Sequence, residues 1–212
     1  MLKKGLAAFT PAETAPIKNE KPDKNFCYTP PPFGLVMTVT GKVLEGHVLS
    51  PDPQVRLFQE SMGRDTLWLR RDEHEALARG EIMASVKTRI ARFTLADFTR
   101  GEPGFWEPKD VRRFDLELKN GVLTGSAKLE NDAKTCGFEP QFRGAVEVKD
   151  GQVVRFDLVA KGTAYGHSGT TANAAPKGKF TLAIAYRLAP GTDEADKVTP
   201  QGAKAWFPDY IR

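Results

Sequence analysis

The chain has 212 residues, a length that fits one domain, or one domain with a flexible arm, better than two full domains. Hydrophobic residues make up 40% and charged residues 27%, which excludes collagen-like, membrane-embedded and wholly disordered chains. The net charge of +4 is small and the basic residues alternate with acidic ones, so we expect no nucleic-acid partner. No apolar run approaches the roughly 20 residues of a membrane-spanning helix, so we expect no membrane partner either.

The first part of the chain differs from the rest. Frequent prolines in residues 1–32 leave no run long enough to pack, which predicts an extended Pro-rich arm followed by one β-rich domain over 33–212. The charged start lacks the hydrophobic core of a signal peptide. We therefore expect a cytoplasmic protein as the sequence is written, and a periplasmic or secreted one if a leader has been removed.

Only two cysteines occur, Cys27 and Cys136. They form either a disulfide between the arm and the domain, in an oxidising compartment, or two free thiols in a reducing one. Neither cysteine has a second ligand at the spacing of a metal site, so no metal is expected there.

The first half of the domain combines strands with one helical insertion. Residues 35–49 are rich in β-branched side chains, which predicts a strand pair or one long bent strand, and residues 66–70 predict another strand. After residue 71 the apolar residues recur at the spacing of a helix. Asp72 and Glu75 form a capping-box arrangement and Gly80 interrupts the pattern, so one broken helix or two short ones are expected over about 72–93.

A first hairpin is predicted around Asn120-Gly121. Apolar and charged residues alternate from 113 to 119, and Asn-Gly supplies the two positive-φ positions of a type I′ turn. The side chains of three pairs should then face inward together. These pairs are Leu118 with Leu123, Leu116 with Gly125, and Phe114 with Ala127.

A second hairpin is predicted around Asp150-Gly151. A two-residue loop would place its apolar residues on opposite faces, which favours a three-residue loop, 149–151, with Gly151 in a bulge. The expected pairs are Val148 with Gln152, Val146 with Val154, Gly144 with Phe156, and Phe142 with Leu158.

The last strand, 180–188, has apolar residues on both faces, which indicates a central or doubly covered strand. Seven or eight strands in hairpin order predict a mainly β fold. We expect an antiparallel meander that forms a barrel or a strongly curved sheet, with glycines such as Gly125 and Gly144 permitting the curvature.

The long polar loop at 162–179 is one candidate site. It places His167 and Ser168 among glycines and hydroxyls, with Lys177 and Lys179 supplying positive charge, an arrangement suited to an anion. The alternative is a plain connection between two strands. A catalytic triad is disfavoured, because neighbouring residues of an extended chain point apart.

The turn at 99–108 is a second candidate. Phe105 and Trp106 lie between Glu102 and Glu107, so the two carboxylates are candidates for an acid and base pair over a sugar stacked on Trp106. The alternative is that the two aromatic residues close the open end of the sheet.

The remaining histidines carry less information. His47 is expected to be structural or solvent-facing and His74 to be exposed. Glu45 with His47 would supply only two of the ligands that a metal site needs. No cofactor and no metal are therefore predicted.

The leading hypothesis is a non-enzymatic β-barrel-like module that binds a small ligand in or at the mouth of the barrel, because about eight strands can enclose one. The predicted ligand-binding residues are His167, Ser168, Lys177, Lys179, Phe105 and Trp106. One alternative is an enzyme that acts on an anionic or sugar-like substrate around His167. Another is an interaction protein that uses the N-terminal arm. The oligomeric state is left open.

Overall fold

The computed structural model describes residues 28–46, 48–99, 101–166, 176–204 and 207–212. Its strands are β1 (Leu35–Glu45), β2 (Gly63–Leu69), β3 (Val111–Lys119), β4 (Val122–Glu130), β5 (Gly137–Lys149), β6 (Gln152–Tyr165) and β7 (Lys179–Leu188). Its helices are α1 (Pro53–Glu60), α2 (Arg71–Ala78), α3 (Ala84–Arg89), which continues as a π-helix over Ile90–Thr94, and α4 (Phe207–Ile211). In the described residues, three 3-10 turns lie over Pro108–Asp110, Glu194–Lys197 and Gln201–Ala203, and α4 follows the last of them.

The strands form one antiparallel sheet in the order β2-β1-β7-β6-β5-β4-β3. The mainly β antiparallel prediction is confirmed, and the chain runs as a meander from β3 to β7 before β7 pairs with β1. In the described part of the chain, β2 and β3 are each paired on one side only. The sheet is therefore not closed, so of the two predicted forms, a barrel or a strongly curved sheet, the barrel is wrong.

The helical insertion explains why the sheet does not close. Residues 71–94 follow β2 and precede β3, and the π-helix packs against both of these edge strands. A helix occupies the gap that further strands would fill in a barrel, because its apolar face supplies the core contacts there. The predicted insertion at 72–93 is confirmed, including its interruption at Gly80, which adopts φ +86°.

Side chains fill the space between the helices and the sheet. Buried residues of β1 and β7 alternate with outward ones, as in Met37, Val39, Ile184 and Tyr186. The void that remains between α3 and the sheet measures only about 10 Å³. It is lined mostly by apolar side chains and holds at most one water.

The first hairpin has the predicted register. Leu118 pairs with Leu123, Leu116 with Gly125 and Phe114 with Ala127. Asn120 and Gly121 adopt φ +51° and +77°, as a type I′ turn requires.

The register predicted for the second hairpin is wrong. Asp150 itself adopts φ +52°, so Asp150 and Gly151 form a two-residue turn and Val148 pairs with Val153. The extra residue lies in β6 instead of the loop, since Glu147 already pairs with Arg155. This bulge sends Val153 inward and leaves the Val154 side chain 51% exposed.

The remaining pairs shift with this bulge. Val146 pairs with Phe156, Gly144 with Leu158 and Phe142 with Ala160. The prediction for the last strand is confirmed, because β7 lies between β1 and β6 and is hydrogen-bonded to both.

Two helices were not predicted. The Ser-Pro-Asp-Pro segment, which follows the strand predicted over 35–49, leads into α1. Asp52 accepts a hydrogen bond from the Gln54 N–H at 2.8 Å, and Pro53 is the first helical residue. The short helix α4 near the end of the chain packs with α3.

The start of α2 also differs from the prediction. The capping residue is Arg70 instead of Asp72, and the Glu73 carboxylate accepts the Arg70 backbone N–H at 2.8 Å. His74 is 8% exposed, not solvent-facing. Its Nδ1 lies 3.1 Å from the Phe33 carbonyl, and its Nε2 accepts the Val153 N–H at 3.4 Å, so α2 is attached to the bulge of β6.

Candidate ligand-binding cleft

Four of the six predicted site residues are described, and they lie at one end of the sheet. Lys177 and Lys179 are exposed at the start of β7, whereas His167 and Ser168 lie outside the described residues. Phe105 is half-buried, with its ring 5.5 Å from that of Phe93 in an edge-to-face arrangement.

Trp106 is buried, with 6% of its surface exposed, and its Nε1 donates to the Leu95 carbonyl at 2.7 Å. It lines a void of about 20 Å³ together with Gly166 and Phe180, which lie beside the two strand ends that flank residues 167–175. The aromatic turn and the flanks of the polar loop therefore meet, but the described space between them holds no more than a water. A sugar has no access to the Trp106 ring in this arrangement.

Two titratable side chains beside this void, Cys136 and Tyr165, are protonated at neutral pH. Burial raises the pKa of the Cys136 thiol to about 11, with Asp97 and Asp110 adding to the effect. Burial and a 2.7 Å hydrogen bond to the Glu130 carboxylate raise the pKa of Tyr165 to about 12. Neither side chain is poised as a nucleophile, because a thiol or phenol reacts through its anion.

Other sequence candidates are placed as follows. Glu102 forms an ion pair with Lys204 at 3.0 Å, and Glu107 is exposed. Cys136 has no disulfide partner among the described residues, and Cys27 lies outside them, as does His47. Within the described ranges, no group of three or more histidine, cysteine or acidic residues is arranged to hold a metal ion.

An open cleft of about 360 Å³ lies between α3 and β3. One wall is a single face of the helix, since its residues recur at helical spacing. The opposite wall comes from the 3-10 turn before β3 and from β3 itself. The lining residues are Ala84, Lys87, Thr88, Ala91, Arg92, Pro108, Val111 and Phe114.

Small side chains on α3 create this cleft. Ala84, Thr88 and Ala91 occupy the face of the helix opposite Val111 and Phe114, where longer side chains would close the gap. Ala91 is buried at the floor, and Val111 and Phe114 are half-buried. The cleft thus combines an apolar floor with an opening to solvent, a combination that is common in small-molecule sites.

The charge of the cleft is uniform. Its two charged lining residues, Lys87 and Arg92, are both cationic, and no acidic side chain lines it. Arg92 is fixed in place, because its Nε donates to the Trp106 carbonyl at 3.1 Å and its guanidinium lies 4.9 Å from the centre of the Phe93 ring. Lys87 lies close enough to Glu117 to lower the pKa of that carboxyl, after the larger effect of Lys119.

A larger groove of about 1100 Å³ lies on the face of the sheet turned away from the helices. Its arginines are largely neutralised. Arg155 is paired with Glu147 at 2.6 Å, and Arg64 lies 3.4 Å from Asp196. This groove therefore lacks the one-sided charge of the cleft at α3.

Sequence reasoning missed the cleft. The repetition of small residues at positions 84, 88 and 91 was visible, but the pattern alone does not distinguish a cleft from a packed or a solvated helix face. The deciding fact is that β3, which begins 20 residues further along the chain than Ala91, lies opposite that face.

Comparisons with protein-family models, with curated proteins and with solved structures find no match for this chain. Among the residues that the structure describes, no helix is both long enough and apolar enough to cross a membrane.

Proposed function

We propose that this protein is a non-enzymatic binding module for a small amphipathic anion, which it holds in the cleft between α3 and β3. The sequence suggested a small ligand in or at the mouth of a barrel. Because the sheet is open and its interior is filled, we place the ligand outside the core, where the helices lie beside the edge strand β3. The observation that carries the proposal is an apolar cleft whose only charged lining residues are two cations, Lys87 and Arg92.

The size of the cleft supports a small ligand. Its volume of about 360 Å³ falls within the range of about 300–1,000 Å³ that is usual for small-molecule pockets. An acyl chain or aromatic ring would lie against Ala91, Val111 and Phe114. Its burial would contribute about 0.8 kcal/mol for each methylene removed from water.

The cations favour a carboxylate or phosphate at the other end of the ligand. Arg92 is held in place before binding, so it loses little side-chain entropy when an anion arrives. Lys87 is half-buried and can move toward the ligand. An uncharged or cationic ligand of the same shape gains nothing from either side chain.

Isothermal titration calorimetry and thermal shift with three ligands of equal chain length test the proposal. We expect decanoate to bind and to raise the melting temperature, decanol to bind more weakly, and decylamine to bind least. Equal affinities for the three, or no binding of decanoate, would contradict the proposed site.

Two variants locate the binding. Thr88→Trp fills the cleft from an exposed helix position, and Lys87→Glu reverses one of its two charges. We expect either change to weaken decanoate binding about tenfold or more, equivalent to about 1.4 kcal/mol. The matched control is Lys161→Glu, an exposed lysine on β6 away from the cleft, and it should leave the affinity unchanged.

A further inference from the structure

The connection between β1 and β2 exposes an unusual amount of apolar surface. α1 lies in this connection and has no buried residue. Five large apolar side chains in the described residues 48–62 are each more than half exposed. They are Val48 at 92%, Leu49 at 52%, Leu57 at 69%, Phe58 at 51% and Met62 at 64%.

Hydrogen bonds hold this connection in one shape. The Gln59 side chain accepts the Ser50 N–H at 2.9 Å and donates to the Val48 carbonyl at 3.2 Å. The Arg56 Nε donates to the Ser50 carbonyl at 3.1 Å, and the Ser61 hydroxyl donates to the Thr99 carbonyl at 2.5 Å. The polar side chains bind the backbone of the connection while the apolar ones point outward, so the exposed patch is pre-organised for a partner.

The exposed area is what an interface requires. Five side chains of this size, each more than half exposed, present on the order of 500 Å² of apolar surface, which is as much as the largest patch on a typical monomer. Two copies that each bury such a patch in the groove of the other reach the ~1,200 Å² at which stable interfaces begin, because the groove surface is buried as well.

The patch adjoins a surface that can receive it. Met62 also lines the groove of about 1100 Å³ on the outer face of the sheet, together with the apolar side chains of Val154 and Leu188. The charged groups of that groove are of both signs and are largely paired, so a second copy meets no net repulsion. A protrusion and a groove that are neighbours on one molecule satisfy the reciprocal contacts of a two-fold interface.

We propose that residues 48–62 and the adjoining outer groove form a two-fold interface between two copies of this chain, in which the apolar side chains of each connection lie in the groove of the other copy. The interface is on the opposite side of the sheet from the cleft at α3. It is therefore independent of the proposed ligand.

Sedimentation equilibrium of the full chain from about 5 to 200 µM tests the interface, because the dimer fraction depends on protein concentration. We expect wild-type dimers in this range. Leu57→Asp and Phe58→Asp on the patch, and Val154→Asp in the groove, should each raise the dimer dissociation constant tenfold or more.

Val122→Asp is the matched control, since Val122 is 51% exposed at the start of β4, away from both surfaces. It should leave the dissociation constant within about twofold of the wild type, and unchanged circular dichroism should show that every variant is folded. A wild-type chain that stays monomeric throughout, or variants that dimerise as well as the wild type, would overturn the proposal. Monomers that float with phosphatidylcholine–phosphatidylglycerol vesicles would overturn it in favour of a lipid surface.

Discussion

The substitution Arg89→Met tests what holds the helices to the sheet. The guanidinium of Arg89 is 1% exposed and forms a two-point ion pair with the Glu73 carboxylate, at 2.8 and 2.9 Å. It also donates to the carbonyls of Trp68 in β2 at 2.9 Å, Tyr210 at 2.7 Å and Ile211 at 3.1 Å. All five N–H groups are used, and they connect α2, α3, β2 and α4.

The partner carboxylate is equally satisfied. Besides Arg89, Glu73 accepts the Ser85 hydroxyl at 2.6 Å and the Arg70 N–H at 2.8 Å. Arg89→Met removes both close hydrogen bonds from a cation to this buried carboxylate and leaves only the Arg70 guanidinium, 3.5 Å away, as a cation beside it. It also removes one donor from each of the three carbonyls that Arg89 contacts. Removal of one member of a buried pair costs about 3–5 kcal/mol, a large share of the ~5–15 kcal/mol by which domains are stable.

Urea denaturation followed by tryptophan fluorescence measures this cost. Arg71→Met is the control, because Arg71 forms an exposed ion pair with Glu75 at 2.8 Å, and loss of such a pair costs about 1 kcal/mol or less. Adding Glu73→Gln to Arg89→Met removes the buried charge that has lost its main partner and should recover about 1–2 kcal/mol. An Arg89→Met cost no larger than that of the control, or a double variant with no recovery, would refute the reasoning.

The loss should also depend on pH. Burial tends to raise the pKa of Glu73, but the hydrogen bonds and charge of Arg89 outweigh it and hold the pKa below the usual value of 4.5. The pair therefore stabilises the wild type above about pH 4.5, and this contribution is lost as pH falls through the lower folded pKa. In Arg89→Met the hydrogen bonds from the Ser85 hydroxyl and the Arg70 N–H remain, but the two largest effects that oppose burial are lost. The pKa of Glu73 therefore rises, and the deficit of the variant should shrink between pH 7 and pH 4.

Three further predictions concern single residues. Burial raises the pKa of Asp65 from 3.8 to about 6. The contribution of Asp65 to the free energy of unfolding therefore falls by up to about 3 kcal/mol as the pH rises from 4 to 6. In urea titrations, this pH-dependent fall should be absent from Asp65→Asn. A Cβ at Gly144 would lie 2.2 Å from a backbone oxygen, whereas at Gly151, with φ +74°, it meets nothing within 4 Å; Gly151→Ala should cost about 1–2 kcal/mol and Gly144→Ala clearly more in the same assay. The pKa of Cys136 is raised to about 11, and iodoacetamide reacts with the thiolate. In a Cys27→Ser background at pH 8, the folded chain should therefore be alkylated at Cys136 about 100-fold more slowly than the urea-unfolded chain. Equal rates would contradict this prediction.

The first hairpin shows what the sequence can determine by itself. The type I′ turn at Asn120-Gly121 and the alternation on either side of it are local signals, and they specify the same register. The mainly β class and the central position of the last strand follow from equally local patterns of apolar residues. These parts of the fold were predictable because no distant residue decides them.

The second hairpin shows where this reasoning stops. The chain needs one extra residue to keep its apolar side chains inward, and the sequence does not say whether that residue lies in the loop or in the strand. In the structure it lies in β6, where the Val153 N–H is accepted by His74, 79 residues earlier in the chain. A long-range contact with α2 accompanies the bulge, and no local pattern contains it.

The two edges of the sheet explain why the candidate cleft lies beside β3. At the β2 edge, the Trp68 N–H donates to the Tyr210 hydroxyl at 3.2 Å and its carbonyl accepts from Arg89, so buried side chains take the place of a neighbouring strand. The π-helix also packs against β3, but in the described structure no buried side chain bonds to the outer backbone of β3 in this way. That edge instead presents charges at Arg113, Asp115 and Glu117, which discourage pairing with another strand. Apolar side chains at its start, Val111 and Phe114, remain accessible from the helix side. Charged side chains protect the β3 edge, whereas buried side chains bond to the backbone of the β2 edge. The β3 edge therefore leaves room for a small molecule, and we place the ligand there and not at β2.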